Sequence, residues 1–374
     1  MGANLRFLRN VVLKALALFL VANLLFAAWA GSAAGLGRLS LYNRLFLGRL
    51  RLPFGENSAQ AYNLSLYNLD AMFASHAIAG APKAKDEYRV IVVGDSSVWG
   101  TLLRNDQTLT GRLNAAALTC SGRQMRFYNL GYPTISLTKD LMILSEALRY
   151  QPDLILWPTT LEAFPRARQL STPLVANNPG RFRALVQGQE LNLDVESLPP
   201  SPPPFWERTI IAQRRSLADL IRLQLYGVLW GATGVDQYYP AEYARAQVDF
   251  QKEDLIFHGW KPGQMSADDL AFDVLAAGIR IAGSTPVVVV NEPMLISRGK
   301  NSDVRYNLFY PHWAYDLYRQ WLAERSRAEG WRYLDLASAV DPAEFTNSAI
   351  HLTPAGEQRF VDVLAPQLTA LACR

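Results

Sequence analysis

Apolar residues fall into two alternating patterns along most of this chain. Short apolar runs are typical of strands in a parallel sheet. Such runs lie at 90–93, 126–130, 153–157, 286–290 and 331–334. Between them, apolar residues recur at helical spacing, as in the stripe Leu137, Leu141, Leu144 and Leu148. Strands that alternate with helices predict an α/β domain with a mostly parallel sheet.

One apolar stretch near the start of the chain is much longer than these runs. Residues 15–37 carry no charge and follow Arg6, Arg9 and Lys14. A bilayer-spanning helix needs about 20 mostly apolar residues, so the length predicts an N-terminal membrane anchor. A signal peptide that is cleaved to release a secreted domain is the alternative, because Ala28-Trp29-Ala30 resembles a cleavage site. We favour the anchor, since the uncharged run continues past that site, and place the large domain outside the cytoplasm.

These patterns divide the chain into three parts. We expect a membrane anchor (or signal peptide) over 1–37, a membrane-proximal stalk over 38–87 and the α/β domain over 88–372, with a central helical insert at 161–265. Within the insert, 209–233 has helical periodicity. It is interpreted either as a helix of a cap over the site or as a helix at the membrane surface, with Tyr226 and Trp230 at headgroup level.

Composition narrows the possible functions. The chain has 374 residues, of which 50% are hydrophobic and 19% charged, so it can bury a large core. A net charge of +4 with no cluster of Lys and Arg argues against nucleic-acid binding. The four histidines are scattered, so we expect no metal and no cofactor. Cys120 and Cys373 either pair outside the cell or stay as two buried thiols.

The clearest candidate for chemistry follows the first apolar run. Gly94 ends this run, and Asp95, Ser96 and Ser97 come next. In an open α/β sheet, ligands bind beyond the carboxyl ends of the strands, so a hydroxyl here suits a nucleophile. An ordinary turn between strand and helix is the alternative. The nucleophile interpretation gains weight from a second motif around His351, near the end of the chain.

Together the two motifs resemble those of the GDSL/SGNH hydrolase family. The first motif of that family, Gly-Asp-Ser-x-x-x-Gly, is matched by Gly94, Asp95, Ser96 and Gly100. The family's last motif places a His just before a C-terminal helix, often followed by a Thr, Ser or Asn and then a Gly. His351, Thr353 and Gly356 match these positions here. The resemblance covers about residues 88–160 and 270–372. It implies a flavodoxin-like three-layer α/β/α fold and serine esterase chemistry.

The resemblance also implies roles for individual residues. Ser96 would attack an ester carbonyl, and His351 would take its proton. Donors to the oxyanion would include the backbone N–H of Gly131, which ends the second predicted strand. The family's third motif supplies an Asn side chain, but this chain has threonines after the third strand. Thr159 or Thr160 could donate instead, and we name Thr160 as the candidate.

A second departure from the family concerns the group that orients the histidine. The family has Asp three residues before the catalytic His, where this chain has Ser348. Asn347 is our candidate for this role, with Asp341 and Asp335 as alternatives from the preceding loop and strand. An Asn can hold the imidazole ring but cannot stabilise its positive charge.

These residues predict an esterase or O-acyltransferase that works through an acyl-Ser96 intermediate. By resemblance, the expected substrate is an acylated small molecule or a polysaccharide of the cell envelope, with a membrane-bound O-acyltransferase as partner. A catalytically inactive SGNH-like subunit, used for binding or assembly in the envelope, is the alternative. The two departures favour the inactive subunit, whereas the intact Ser96 and His351 motifs favour the enzyme.

Overall fold

Six strands form one sheet at the centre of the computed structural model. The structure describes residues 2–29, 33–39, 41, 45, 48–55, 63–80, 82–198, 203–234, 242–247 and 250–373. The strands are β1 Glu87–Gly94, β2 Thr119–Cys120, β3 Arg123–Gly131, β4 Leu154–Thr159, β5 Val287–Asn291 and β6 Arg332–Asp335. Every predicted apolar run therefore lies in or overlaps a strand.

The strand order is β2-β3-β1-β4-β5-β6. All neighbouring pairs are parallel except β2 with β3, which form a short antiparallel edge. Without β2, the five parallel strands have the order 2-1-3-4-5, which is that of flavodoxin-like folds. The predicted fold class is thus confirmed. Such a sheet carries ligands at the carboxyl ends of its strands, where β1 leads into Ser96.

Twelve α-helices surround or precede the sheet in the described residues. They are α1 Gly2–Trp29, α2 Leu69–Ser75, α3 Ala77–Gly80, α4 Ser96–Trp99, α5 Leu109–Ala115, α6 Leu137–Ala147, α7 Pro173–Asn177, α8 Pro179–Gln189, α9 Arg214–Thr233, α10 Phe272–Ile281, α11 His312–Glu329 and α12 Pro354–Ala372. One helix layer contains α6 packed on α10, and the other contains α5 packed on α12. All eight residues of β1 are buried between these layers, as its unbroken apolar run predicts.

The long helix α1 has the properties predicted for a membrane anchor. A stretch over Asn4–Ala28 is long and apolar enough to cross a bilayer, and only 11% of its most apolar part is buried. A helix of a soluble core would be buried, so that interpretation does not fit α1. The helix has the character of an anchor or a signal sequence.

The described part of the stalk is joined to the helix that begins at Ser96. Arg51 is almost fully buried, and its Nη1 donates to the carbonyl oxygens of Trp99, at 3.3 Å, and Gly100, at 3.0 Å. The Trp99 indole donates in return to the Leu52 carbonyl at 2.8 Å. The stalk therefore packs against the domain, and it does so next to the candidate nucleophile.

Cys120 and Cys373 form a disulfide with a Cα–Cα distance of 5.4 Å, which resolves the open question of their state. The bond joins β2 to the end of α12 across 253 residues of sequence. We expect the double variant Cys120→Ser, Cys373→Ser to lose about 2–5 kcal/mol of unfolding free energy, because a long closed loop restricts the unfolded chain. Guanidinium unfolding of the unreduced proteins measures this loss. Two titratable thiols in the unreduced wild type would contradict the pairing.

Candidate active site

The turn after β1 exposes the hydroxyl of Ser96. Asp95 caps the short helix α4, because its Oδ1 accepts a hydrogen bond from the Ser97 N–H at 2.8 Å. Ser96 is the first residue of this helix and is partly exposed. Gly100 ends α4 with φ of +88°, a conformation that favours glycine. The Gly-Asp-Ser-x-x-x-Gly motif is therefore a strand, a cap and one helical turn that together present a serine.

Ser96, His351 and Asn347 form one hydrogen-bonded chain. The Ser96 Oγ lies 2.7 Å from His351 Nε2, although 255 residues separate them in sequence. On the other side of the ring, His351 Nδ1 lies 2.8 Å from Asn347 Oδ1. An amide oxygen only accepts, so Nδ1 carries the hydrogen and Nε2 has a free lone pair for the Ser96 proton. The structure thus brings together all three residues predicted to act in catalysis.

A tight loop before α12 holds the histidine. Thr346 N–H donates to the His351 carbonyl at 2.8 Å, which closes the loop that also contains Asn347. Thr353 then caps α12, since its Oγ1 accepts from the Gly356 N–H at 3.0 Å. The predicted match of Thr353 and Gly356 to the family motif therefore has a structural cause, which is the helix cap that follows His351.

The charge state of His351 follows from its surroundings. Burial lowers the pKa of the imidazole to about 4, because the charged form is poorly solvated there. At neutral pH the ring is uncharged and able to accept a proton. Its Nδ1 contacts an amide, so the positive charge formed during proton transfer gains less stabilisation than a carboxylate would give.

The two alternative partners for His351 are engaged elsewhere. Asp335 accepts from the Asn291 amide at 2.9 Å and from Arg319 at 2.8 Å. Asp341 caps a short 3₁₀ helix by accepting from the Ala343 N–H at 2.9 Å. Of the three candidates, Asn347 is the one whose side chain is hydrogen-bonded to the ring.

Gly131, the predicted oxyanion donor, has two close contacts within the fold. Its N–H donates to Asn129 Oδ1 at 3.1 Å, so this donor is already occupied. The residue is a glycine for a different reason. A Cβ at this position would lie 2.5 Å from the backbone nitrogen of Trp99. Gly131 therefore lets β3 approach α4 closely, and its role as an oxyanion donor stays a prediction.

Thr160 also has another function. Its hydroxyl is fully buried and donates to the Tyr310 hydroxyl at 3.0 Å. The neighbouring Thr159, at the carboxyl end of β4, has a buried Oγ1 with no hydrogen-bond partner among the described residues. The same holds for Thr134 Oγ1 in the loop after β3. Both hydroxyls follow or end strands that flank β1, the strand that leads into Ser96.

Buried carboxyl groups lie behind the nucleophile. Ser97 donates its hydroxyl hydrogen bond to Glu292, which follows β5. Burial and the nearby charge of Asp95 raise the pKa of Glu292 well above its ordinary value. Glu292 lines a small cavity of about 10 Å³, which has room for one water. Glu357, in the first turn of α12, lines this cavity too. These acids lie next to Ser97, whereas the Ser96 hydroxyl is hydrogen-bonded to His351.

The protonation of Glu357 gives a stability prediction. Burial raises its pKa from 4.5 to about 8, so the folded state keeps a proton that the unfolded state loses above pH 4.5. The contribution to stability is complete below pH 4.5 and is lost as the pH rises to 8. We expect Glu357→Gln to gain stability over wild type by up to about 1.4 kcal/mol per pH unit in that window. Urea unfolding at pH 5 and 8 tests this, and an unchanged difference would contradict it.

A larger cavity opens beside the histidine loop. It has a volume of about 300 Å³, and its walls are Arg245, Ala246, Leu295, Pro342, Ala343 and Phe345. It adjoins the loop on two sides, since Ala246 N–H donates to Thr346 O at 2.5 Å and Leu295 N–H to Ala349 O at 2.8 Å. A mostly apolar cavity of this size can hold a small acyl group or part of an alcohol.

The other three histidines are separate from this site. His76 is buried, and its Nε2 contacts the Leu50 carbonyl at 3.2 Å. His258 pairs with Glu162 at 2.9 Å, and His312 contacts the Ser302 carbonyl at 2.5 Å. Among the described residues, no three His, Cys, Asp or Glu side chains are grouped so that they could hold a metal ion.

Comparison with known proteins gives distant likenesses. No family model and no curated protein matches this sequence. Among solved structures, the chain is similar to Est24, a carbohydrate acetylesterase from Sinorhizobium meliloti, with 13% identity and a TM-score of 0.34 over 76% of this chain and 99% of that one. The native M. smegmatis aryl esterase has 14% identity and a TM-score of 0.34, over 76% and 99% of the two chains.

A third solved structure carries the family name that the motifs indicate. It is described as a lipolytic protein of the G-D-S-L family from Desulfitobacterium hafniense DCB-2, with 10% identity and a TM-score of 0.34 over 75% of this chain and 99% of that one. The activities in these three names belong to those proteins.

Proposed function

We propose that this chain is a membrane-anchored serine esterase or O-acyltransferase of the GDSL/SGNH type. The observation that carries the proposal is the hydrogen-bonded chain Ser96–His351–Asn347, with distances of 2.7 and 2.8 Å. A serine hydroxyl is a weak nucleophile until a base removes its proton. Here a neutral imidazole lies in position to do so, at the sheet edge where α/β folds bind their ligands.

The residues give a mechanism of two similar halves. Ser96 Oγ attacks the ester carbonyl carbon while His351 Nε2 takes the hydroxyl proton. The carbon–oxygen bond to the alcohol then breaks, and Nε2 returns the proton to the leaving oxygen. Water attacks the acyl-Ser96 ester in hydrolysis, and a second alcohol attacks it in transfer, with His351 again as base.

The tetrahedral intermediate needs donors for its oxyanion. We assign the backbone N–H of Ser96 and the hydroxyls of Thr134 and Thr159 to this role. The support is the position of Ser96 at the start of α4 and the absence of hydrogen-bond partners for the two buried hydroxyls in the described residues. One lost donor costs about 2.7–4 kcal/mol in such sites, so these groups affect the rate strongly.

The proposed substrate is an O-acyl ester of an envelope polysaccharide or of a smaller acylated molecule, with a membrane-bound O-acyltransferase as partner. The resemblance in sequence motifs supports this choice, and the 300 Å³ cavity beside His351 offers room for an acyl group. The proposed location is the extracytoplasmic face. The disulfide between Cys120 and Cys373 supports it, because such bonds persist in oxidising compartments.

A second candidate function is that of an inactive subunit used for binding or assembly. The observation in its favour is the amide of Asn347 at His351 Nδ1, where the family has a carboxylate. Without that charge, a full triad loses about 10⁴ in rate. This candidate shares the fold and the membrane anchor with the esterase but predicts no turnover.

Covalent labelling distinguishes the two candidates. We expect a fluorophosphonate probe to modify the wild-type protein on the peptide that contains Ser96, and to leave Ser96→Ala unmodified. The probe reports an activated serine without any knowledge of the natural substrate. Equal labelling of both proteins, or of neither, would reject the esterase and favour the inactive subunit.

A further inference from the structure

Helix α9, in the central insert, has an apolar face that faces solvent. Ile221, Leu225 and Leu229 are 61%, 66% and 58% exposed, and their spacing of four residues puts them on one side of the helix. We call this side the outer face of α9. Trp206, just before the helix, is also exposed at 71%. Scattered exposed apolar residues are ordinary, but a continuous row of them marks an interaction surface.

The opposite side of α9 is fixed to the chain. Asp219 is fully buried and accepts a hydrogen bond from the Tyr67 hydroxyl at 2.6 Å. Leu223 is also buried, in a small cluster with Leu64 and Ala71. These contacts hold α9 against the stalk. The outer face of α9 therefore points to solvent. A rotation of the helix that buried this face would break the hydrogen bond between Asp219 and Tyr67.

The start of α9 lies beside the end of α1. The Ile211 N–H donates to Asn23 Oδ1 on α1 at 3.1 Å. The short 3₁₀ helix Phe205–Arg208 also packs on α1. Asn23 is five residues before Ala28, where the candidate membrane span ends, which is about 8 Å along the helix axis. Residues next to Asn23 are thus at the depth where interfacial helices bury their apolar faces.

The charge of this segment matches a lipid surface. Between residues 205 and 229 the sequence has four arginines and two acidic residues. Arg214 and Arg222 are exposed on the same helix as the apolar row, and Arg222 also pairs with Asp219 at 3.0 Å. Basic residues beside an apolar face are typical of helices that lie on membranes with anionic lipids.

We propose that the outer face of α9 lies in the interface of the membrane that α1 spans. A bilayer is the occupant that fits best, because the segment just before α9 contacts α1, whose own apolar surface is exposed. The domain would then be held to the membrane at two places. Since the stalk is bonded to the helix that begins at Ser96, two attachments would fix the height of the active site above the lipid. The inference rests on α1 remaining in the mature chain and is independent of the esterase chemistry.

Spin labelling of the full-length chain tests this placement. A nitroxide is attached to Leu225→Cys, and the labelled protein is reconstituted in vesicles of phosphatidylcholine and phosphatidylglycerol. Both native cysteines are paired, so the introduced thiol is the single reactive one. Leu16→Cys, in α1, is the control within the bilayer, and Leu308→Cys, exposed at 48% on the domain, is the control in water. The measurement is the relaxation of each label by oxygen, which enters lipid, and by a water-soluble nickel chelate.

We expect the ratio of oxygen to nickel relaxation at Leu225→Cys to exceed that at Leu308→Cys several-fold. A label at 225 that is as accessible to nickel as the one at 308, while the label at 16 lies in lipid, would overturn the inference and leave the anchor intact. Protection from both reagents would show that a second copy or another protein covers the face, and would also overturn it. If the label at 16 were in water, the anchor would fail together with the inference, whereas fluorophosphonate labelling reports on the esterase separately.

Discussion

Ser96→Ala is expected to lower kcat for p-nitrophenyl acetate by at least about 100-fold. Loss of the serine from a complete triad costs about 2 × 10⁶ in kcat. An amide in place of the triad carboxylate already costs about 10⁴, so roughly 10² remains to be lost here. The variant should fold normally, because Ser96 is partly exposed. The side-chain hydrogen bond that it loses joins Ser96 to the catalytic His351.

A matched serine variant controls for indirect effects. Ser326→Ala removes a buried hydroxyl on α11 that has no hydrogen-bond partner among the described residues, so we expect an unchanged rate. Circular dichroism of both variants checks that the fold is intact. A fall in rate of equal size in both variants, or a Ser96→Ala protein that turns over as fast as wild type, would remove Ser96 from the mechanism.

The parts of this site that the sequence predicts are those set by local structure. The unbroken apolar run of β1 indicates a buried strand, and the polar turn after it must then lie at the sheet edge. The helix cap at Thr353 likewise fixes where His351 leaves its loop. These local signals place each residue at the end of an element, and the resemblance to the GDSL/SGNH motifs is what predicted that Ser96 and His351 meet.

The parts that the sequence does not predict depend on contacts between distant residues. Thr160 is bonded to Tyr310, which lies 150 residues away, and nothing near either residue indicates this pairing. The Gly131 N–H donates to the side chain of Asn129, two residues earlier, and the motif does not indicate this contact. The side of α9 that faces solvent also depends on a distant residue, because Tyr67 donates a hydrogen bond to Asp219 on the buried side of the helix. Such choices are settled by packing, which periodicity and motif spacing do not describe.

Asn347→Asp is expected to change both the rate and its pH dependence. A general base works only when it is neutral, so kcat/KM rises with pH through the pKa of the base. In the wild type, burial lowers the pKa of His351 to about 4, and we expect the acid limb there, well below the 6.5 of a free imidazole. A carboxylate at 347, with an oxygen 2.8 Å from Nδ1, would favour the charged ring and raise this pKa, moving the limb upward.

The same substitution should raise kcat above the new limb, because the imidazolium formed in each transition state would gain a counter-charge. The position is exposed, and water screens the charge, so we expect about a tenfold gain out of the 10⁴ that separates Asp from Asn in a buried triad. Asn347→Ala is the control, and it should lose activity because the ring loses the acceptor that fixes its tautomer. A pH profile that is identical in all three proteins would show that residue 347 does not act on His351. A profile that moves without any gain in kcat would show that proton transfer does not limit the rate, and the weak point of this site would then lie with the oxyanion donors Thr134 and Thr159.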